Sequence, residues 1–357
     1  MGEGLGLTMD IESQTPTTHE IGGDLLEAID YCYEQGWTDG LPVVPPEQSR
    51  VQAMLGMQGR PAETVIAHHP ATGLELTLQA AAVNAVMAGC LPEYFPIIVA
   101  AFEAMDREPF NFHGSTVSTG GSGHLLIVSG PIVDEIGMNA GVNLFGPGNR
   151  ANATIGRSIR LTLMNVFKIV PGIADKSTQG NPGKYSFCIA ERADRNPWPP
   201  LCEELGYPDG VSTVAVFAGA GFCNVENHGG NTPEAILDTM ANAMANYGCI
   251  STGQSVVVLS PEHAEIVARP GWSKTQVREY LFEHAKHPRA TLERLGKLDR
   301  GYQRQGHENC HRGIGPDDIL VTVGGGDAGG HSSFIPSWSR GRGSIMQTQP
   351  IGVCIDC

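Results

Sequence analysis

Apolar residues along the chain follow two different rhythms. Short continuous runs occur at Val65-Ile66-Ala67, Leu125–Val128, Thr213–Phe217, Ser255–Leu259 and Asp318–Val323, bounded by glycine, proline or serine. Runs of that length with β-branched residues predict buried strands. Longer segments repeat at helical spacing. The spacing predicts a helix over 23–36, with Leu25, Leu26, Ile29 and Tyr33 on one face, and a short helix beginning at Val51–Leu55. Leu76–Ala88 and Phe95–Met105 are apolar almost all round, as deeply buried helices are. Asn149–Phe167 carries Ile155, Ile159, Leu163 and Val166 on one face and Arg150, Arg157 and Arg160 on the other. Helix starts are marked at Thr232-Pro233, at Ser260-Pro261 and at the capping box Ser273–Gln276. Strands alternating with helices predict an α/β protein, with mainly parallel sheets flanked by helices.

Proline and glycine divide this pattern. Residues 1–20 are small and polar and read as a disordered tail. An α/β lobe over 21–170 is followed by a connection over 171–210. That connection is punctuated by Pro171, Pro182, Pro197, Pro199, Pro200 and Pro208, with Tyr185–Ala190 as a candidate strand inside it. A second α/β lobe covers 211–345, and a tail over 346–357 ends in Cys354-Ile355-Asp356-Cys357. The expected arrangement is two lobes with a cleft between them. No short-period repeat is visible.

Composition narrows the function. Hydrophobic residues at 41% and charged residues at 17% suit a buried core rather than a disordered chain. Asp and Glu number 38 against 23 Lys and Arg, a net charge of −15 that repels phosphate backbones and argues against nucleic acid. No apolar run approaches the ~18 residues of a membrane span, and the start has no basic region leading an apolar one, so neither membrane nor secretion is expected. Nine cysteines, an odd number in a long chain, fit reduced thiols and a cytoplasmic location.

The predicted strand ends carry the candidate chemistry, because ligands of open α/β sheets bind beyond them. They offer His68, Ser129, Gly219–Gly221, His263 and the stretch Gly324, Gly326, Asp327 and His331. Gly324–Gly329 matches the dinucleotide glycine spacing, but the residues after it are poor helix formers. A nest of amides holding a carboxylate is the better expectation, and no motif specifies a cofactor. Gly146-Pro147-Gly148 leads through Asn149, Arg150 and Asn152 into a helix, a recipe for an anion site; the plainer reading is a turn followed by a solvated arginine face. Cys90, before Pro92, and Cys223, before Glu226 and His228, are candidate nucleophiles against the plainer reading of small buried residues. Glu226–His228 and His307–His311 are dense in metal donors but lack a known ligand spacing.

Several segments together resemble a bacterial family. They are Asp39–Pro46, Asn84–Cys90, Pro92–Pro96, Phe145–Gly148, Arg150–Arg157 and Gly180–Lys184. The chain is similar to the UGSC family of (seleno)proteins over most of residues 37–340. The tetrapeptide that gives the family its label is absent, and Gly325–Gly330 is the loosely similar stretch, with Ala328 where a redox residue would stand. The resemblance implies enzyme-like small-molecule chemistry involving thiols. The expectation is an enzyme acting on a small anionic, carboxylate-bearing molecule. Cys90 or Cys223 would be the thiol, and His68, His228 or His263 the acid and base. Asn149, Arg150, Asn152, Ser129, Gly324, Gly326, Asp327 and His331 would hold substrate. A metal-dependent lyase or hydrolase is the enzymatic alternative, and a non-catalytic partner subunit of a redox protein is the other. The partners expected are the small anion and either a second copy of the chain or a redox protein.

Overall fold

A computed structural model describes residues 7–9, 16–21, 24–247, 252–298 and 308–352. Eight strands build two four-stranded sheets. In chain order they are β1 (Gly123–Ser129), β2 (Cys188–Ala190), β3 (Thr213–Gly219), β4 (Cys223–Glu226), β5 (Ser255–Leu259), β6 (Ile319–Val323), β7 (His331–Pro336) and β8 (Gln347–Pro350). The first sheet has the order β8-β3-β1-β2 and the second β6-β5-β7-β4. Within each, one pairing is parallel, β1 with β2 and β5 with β6, and the other two are antiparallel. The fold is therefore mixed α/β, and the expectation of mainly parallel sheets is corrected.

The reason lies in how the strands are covered. Leu125 and Ile127 of β1, Ile189 of β2 and Ala215 and Phe217 of β3 share one buried cluster with Val256 and Val258 of β5, Leu320 of β6 and Ile335 of β7. The sheets thus pack face to face. Alternate residues, Leu126, Val128, Val214, Val216 and Ala218, turn to the opposite side of the first sheet. There they meet α1 (Leu78–Ala88), α2 (Phe95–Met105) and α3 (Arg150–Asn165). The second sheet turns Val257, Leu259, Ile319, Val321, Val323 and Phe334 toward α4 (Pro233–Asn246), α5 (Pro261–Ala268) and α6 (Lys274–His284). The result is four layers, helix–sheet–sheet–helix. The central strands β1, β3 and β5 are buried on both faces, so each reads as a largely continuous apolar run, the signature usually left by parallel strands.

The two sheets repeat one plan. In each, a central strand (β1 or β5) is followed after a helical excursion by a parallel neighbour (β2 or β6), then by an antiparallel one (β3 or β7). The chain then crosses to the other sheet. β3 leads into β4, which pairs with β7, and β7 leads into β8, which pairs with β3. Gly219 and Ser337 form a single bridge where the two crossings meet. The exchange ties the halves together and takes strands for the first sheet from each of the segments 21–170, 171–210, 211–345 and 346–357.

Within 1–20, Leu7–Met9 pairs antiparallel with Pro16–Thr18; residues 1–6 and 10–15 lie outside the described residues, as do His307, Cys354 and Cys357. Among the described residues no helix is long and apolar enough to cross a membrane.

Candidate functional site: a cationic cavity beside the first sheet

A cavity of about 490 Å³ lies between α3 and the segment 171–185 that leads from it to β2. Asp39, Arg160, Asp175, Ser177, Asn181 and Lys184 are among its polar lining residues. Each is placed by local structure. The apolar face of α3 is buried against α1 and the first sheet, so Arg157 and Arg160 emerge on its far side. Arg157 does not face solvent. Its guanidinium grips both oxygens of Asp39 at 2.8 Å, and Nη2 also donates to the carbonyls of Leu41 and Pro42. This anchors the proline-stiffened segment Asp39–Pro46 to the helix. Gly156 lets segment 186–187 lie directly on α3, because a Cβ there would stand 2.4 Å from Ser186 Oγ and 2.7 Å from the Phe187 nitrogen. That close approach sets Lys184 opposite Arg160.

Asp175 is the centre of the arrangement. Its side chain is 4% exposed, against 11% for Arg160 and 15% for Lys184. Oδ2 accepts from Arg160 Nη2 at 3.0 Å and from Lys184 Nζ at 2.6 Å; Oδ1 accepts from Ser177 Oγ at 2.5 Å and from the Ser177 backbone nitrogen at 3.1 Å. Burial works to raise this carboxyl, but the hydrogen bonds from Lys184 and Ser177 outweigh it and hold it at about 2. Burial lowers Lys184 from its ordinary value, and the attraction of Asp175 recovers only part of that. Two cations thus share one carboxylate, leaving an excess positive charge at a desolvated wall.

Behind that pair is a small recess lined by Ser122, His124, Gly156, Arg160 and Lys184. His124 meets Ser115 Oγ through Nε2 at 3.1 Å. Burial, with Arg160 and Lys184 adding to it, pushes the imidazole down to about 3, so it is neutral at physiological pH. Two atoms of residues that line these spaces, Ser122 Oγ and Asn181 Nδ2, are buried without a partner in the protein.

The residues expected from the sequence are distributed differently. Cys90 and Arg150 do come together, in a separate pocket of about 280 Å³ lined by Val44, Met54, Val86, Leu91 and Pro92. Arg150 Nε donates to the carbonyl of Gly89 at 3.0 Å. Cys90 is 7% exposed, and burial drives its thiol up to about 12, overcoming the opposing hydrogen bond from Thr154 and the charge of Arg150. Asn149 caps α3 through the Asn152 nitrogen, and Asn152 holds both polar backbone groups of Asn139, so both side chains are committed to the loop. Ser129 Oγ donates to buried Glu191 at 2.5 Å. His68 is 56% exposed between Glu75 and Asp106.

At the far end of the second sheet the glycine loop is a nest for a carboxylate, and the carboxylate is the protein's own. Glu262 Oε2 accepts from the Gly329 and Gly330 nitrogens at 2.8 and 2.9 Å. Gly324 has Leu144 where a Cβ would stand, and Gly326 faces Val142. Asp327 is held by Arg192 and Arg195 at 2.9 and 3.1 Å. His263 is buried, with Nδ1 beside Ser332 Oγ at 2.7 Å and Nε2 beside the Asn227 carbonyl at 3.1 Å, and burial lowers it. His228 and His331 meet edge to face with centroids 5.1 Å apart. Cys223 lies on the edge strand β4, and burial raises its thiol. Among the described residues, none of His68, His228 and His263 hydrogen-bonds Cys90 or Cys223, and no group of three or more His, Cys, Asp or Glu side chains is placed to share a metal ion.

Arg160, Asp175, Ser177, Asn181 and Lys184 escaped the sequence reading because 171–210 reads as a proline-rich connection and the arginine face as solvated. A signal was present nonetheless: two arginines one turn apart opposite a buried face, and Gly180–Lys184 and Asp39–Pro46 among the segments that carry the family resemblance. The chain matches no protein-family model and no curated protein.

Proposed function

We propose that the chain is an enzyme acting on a small carboxylate-bearing molecule, and that the cavity of Arg160, Asn181 and Lys184 is where that molecule binds. The observation that carries this reading is the pair of largely buried cations sharing Asp175 at the wall of the cavity. Arg160 commits only Nη2 to Asp175, and the remaining edge of its guanidinium is available for a substrate carboxylate. Asp175 keeps the two cations positioned without neutralising both. A cavity of this size suits a metabolite of modest size. The segments that resemble the UGSC family line both pockets, with Asp39, Asn181 and Lys184 in this cavity and Val86, Cys90 and Arg150 in the other, so it is the paired cations and not the resemblance that favour this cavity. The thiol element of the expected chemistry has less support, since burial leaves Cys90 a protonated, weakly nucleophilic thiol.

The test is a thermal-shift comparison of acetate, propionate, pyruvate and succinate with the corresponding neutral amides. The carboxylates should raise the melting temperature and the amides should not. Equal responses from both sets would remove the anion reading.

A further inference from the structure

Lys184 is the only lysine among the residues that line the cavity. Its Nζ meets Asp175 Oδ2 and Ser177 Oγ, each at 2.6 Å. An ammonium has three donor positions, so these contacts leave one uncommitted. Arg160 Nη2 and Lys184 Nζ bind the same carboxylate oxygen, so the two nitrogens are no further apart than those two hydrogen bonds laid end to end. That spacing suits a molecule with a carboxylate on one carbon and a reactive carbonyl on the next. A lysine desolvated beside a second cation is suited to attack a carbonyl carbon, because its free amine is reached at lower pH. Burial and Arg160 both push Lys184 in that direction. Other lysines of the same region are differently engaged: Lys168 and Lys176 donate to the backbone carbonyls of Asn165 and Gly172.

We propose that Lys184 condenses with the carbonyl of a 2-oxo acid whose carboxylate is held by Arg160. The inference rests on the carboxylate reading above and names its substrate class. As the free amine, Nζ adds through its lone pair to C2, and the carbonyl oxygen takes a proton to give a carbinolamine. Loss of that hydroxyl with the remaining amine hydrogen releases water and leaves a C=N bond between Lys184 and C2. Nitrogen, carbon and oxygen change no partners beyond these, and no oxidant is needed. Ser177, within hydrogen-bond reach of both Nζ and Asp175, is placed to pass the proton between the amine and the departing oxygen. The imine so formed makes the carbon next to C2 acidic, the common starting point for aldol addition, aldol cleavage and decarboxylation of suitable oxo acids.

The experiment treats the full chain with pyruvate, 2-oxobutyrate or 2-oxoglutarate in the presence of sodium cyanoborohydride, which delivers a hydride to C=N and fixes the adduct as a secondary amine. Peptide mass mapping should find the Lys184 peptide heavier by pyruvic acid less one oxygen atom, in clear excess over every other lysine. Lys184→Arg should lose that adduct, because a guanidinium forms no imine under these conditions. If pyruvate raises the melting temperature of the native chain but adducts are absent or spread evenly over surface lysines, condensation is overturned and carboxylate binding stands. If none of the three oxo acids, and no simple carboxylate, changes the melting temperature, both are overturned. Circular dichroism of the Lys184→Arg variant separates a lost nucleophile from a lost fold.

Discussion

At Asp175 two effects oppose each other, and the outcome sets the charge of the cavity. Burial favours the neutral carboxyl; Lys184 and Ser177 favour the carboxylate, and they win. The folded value of about 2 lies below the ordinary carboxyl range, so the stabilisation is complete above the unfolded value and is lost as pH falls through the folded one. For a side chain this buried, the contribution is on the order of 2 kcal/mol, from the roughly 1.4 kcal/mol attached to each unit of displacement. Chemical denaturation from neutral pH down to about 2 should show this loss in the native chain, while Asp175→Asn should be less stable at neutral pH and lose less on acidification. An unchanged acid profile in the variant would mean that Asp175 is not the anchor of the pair. Cys90 has the opposite balance. Desolvation overwhelms the nearby Arg150, so the thiol stays protonated at neutral pH. In limiting iodoacetamide at pH ~7, the partly accessible Cys223 should be alkylated before Cys90. Faster labelling of Cys90 would restore it as a candidate nucleophile.

At the scale of elements, α3 carries most of what the site requires. Its apolar face docks on α1 and the first sheet, its arginine face holds the segments 39–42 and 171–185, and Gly156 permits the contact with residues 186–187. Gly156→Ala should therefore destabilise the protein. Helix propensity alone gives alanine an advantage of about 1 kcal/mol, but overpacking against backbone costs about 1–3 kcal/mol. A lower melting temperature and weaker binding of small carboxylates are expected together; a rise in melting temperature would show that segment 186–187 yields without cost. The elements themselves were largely legible. Phe95–Met105 and Ser255–Leu259 have the boundaries that the sequence predicts, and Ser260 and Ser273 cap helices as their spacing predicts. β7 was not legible. His331-Ser332-Ser333 is polar and follows a glycine run, yet Ser332 and Ser333 are buried because they hydrogen-bond within a strand paired on both sides.

At the scale of the whole molecule, the layered arrangement explains both what could be read and what could not. A strand covered by helices on one face and by another sheet on the other has no polar alternation. Periodicity then reveals a buried strand but not its direction, and the antiparallel pairings of β3 and β7 stayed hidden. The exchange of β4 and β8 between the sheets joins residues more than a hundred positions apart, which local pattern cannot report. The site was hidden for a related reason. Its charged groups come from the extended segment at Asp39, the outer face of α3 and the segment before β2, and only the fold sets them around one cavity. Cys90 and Arg150, adjacent to readable helix signals, form instead the smaller pocket. Calorimetric titration of pyruvate into the native chain, Arg160→Gln and Arg150→Gln distinguishes the two places directly. Loss of a charge-assisted hydrogen bond worth about 2 kcal/mol should weaken binding by roughly thirtyfold in Arg160→Gln and leave Arg150→Gln near the native affinity. Native affinity in Arg160→Gln, with the loss in Arg150→Gln, would contradict the assignment of the anion site to the cavity of Arg160, Asn181 and Lys184.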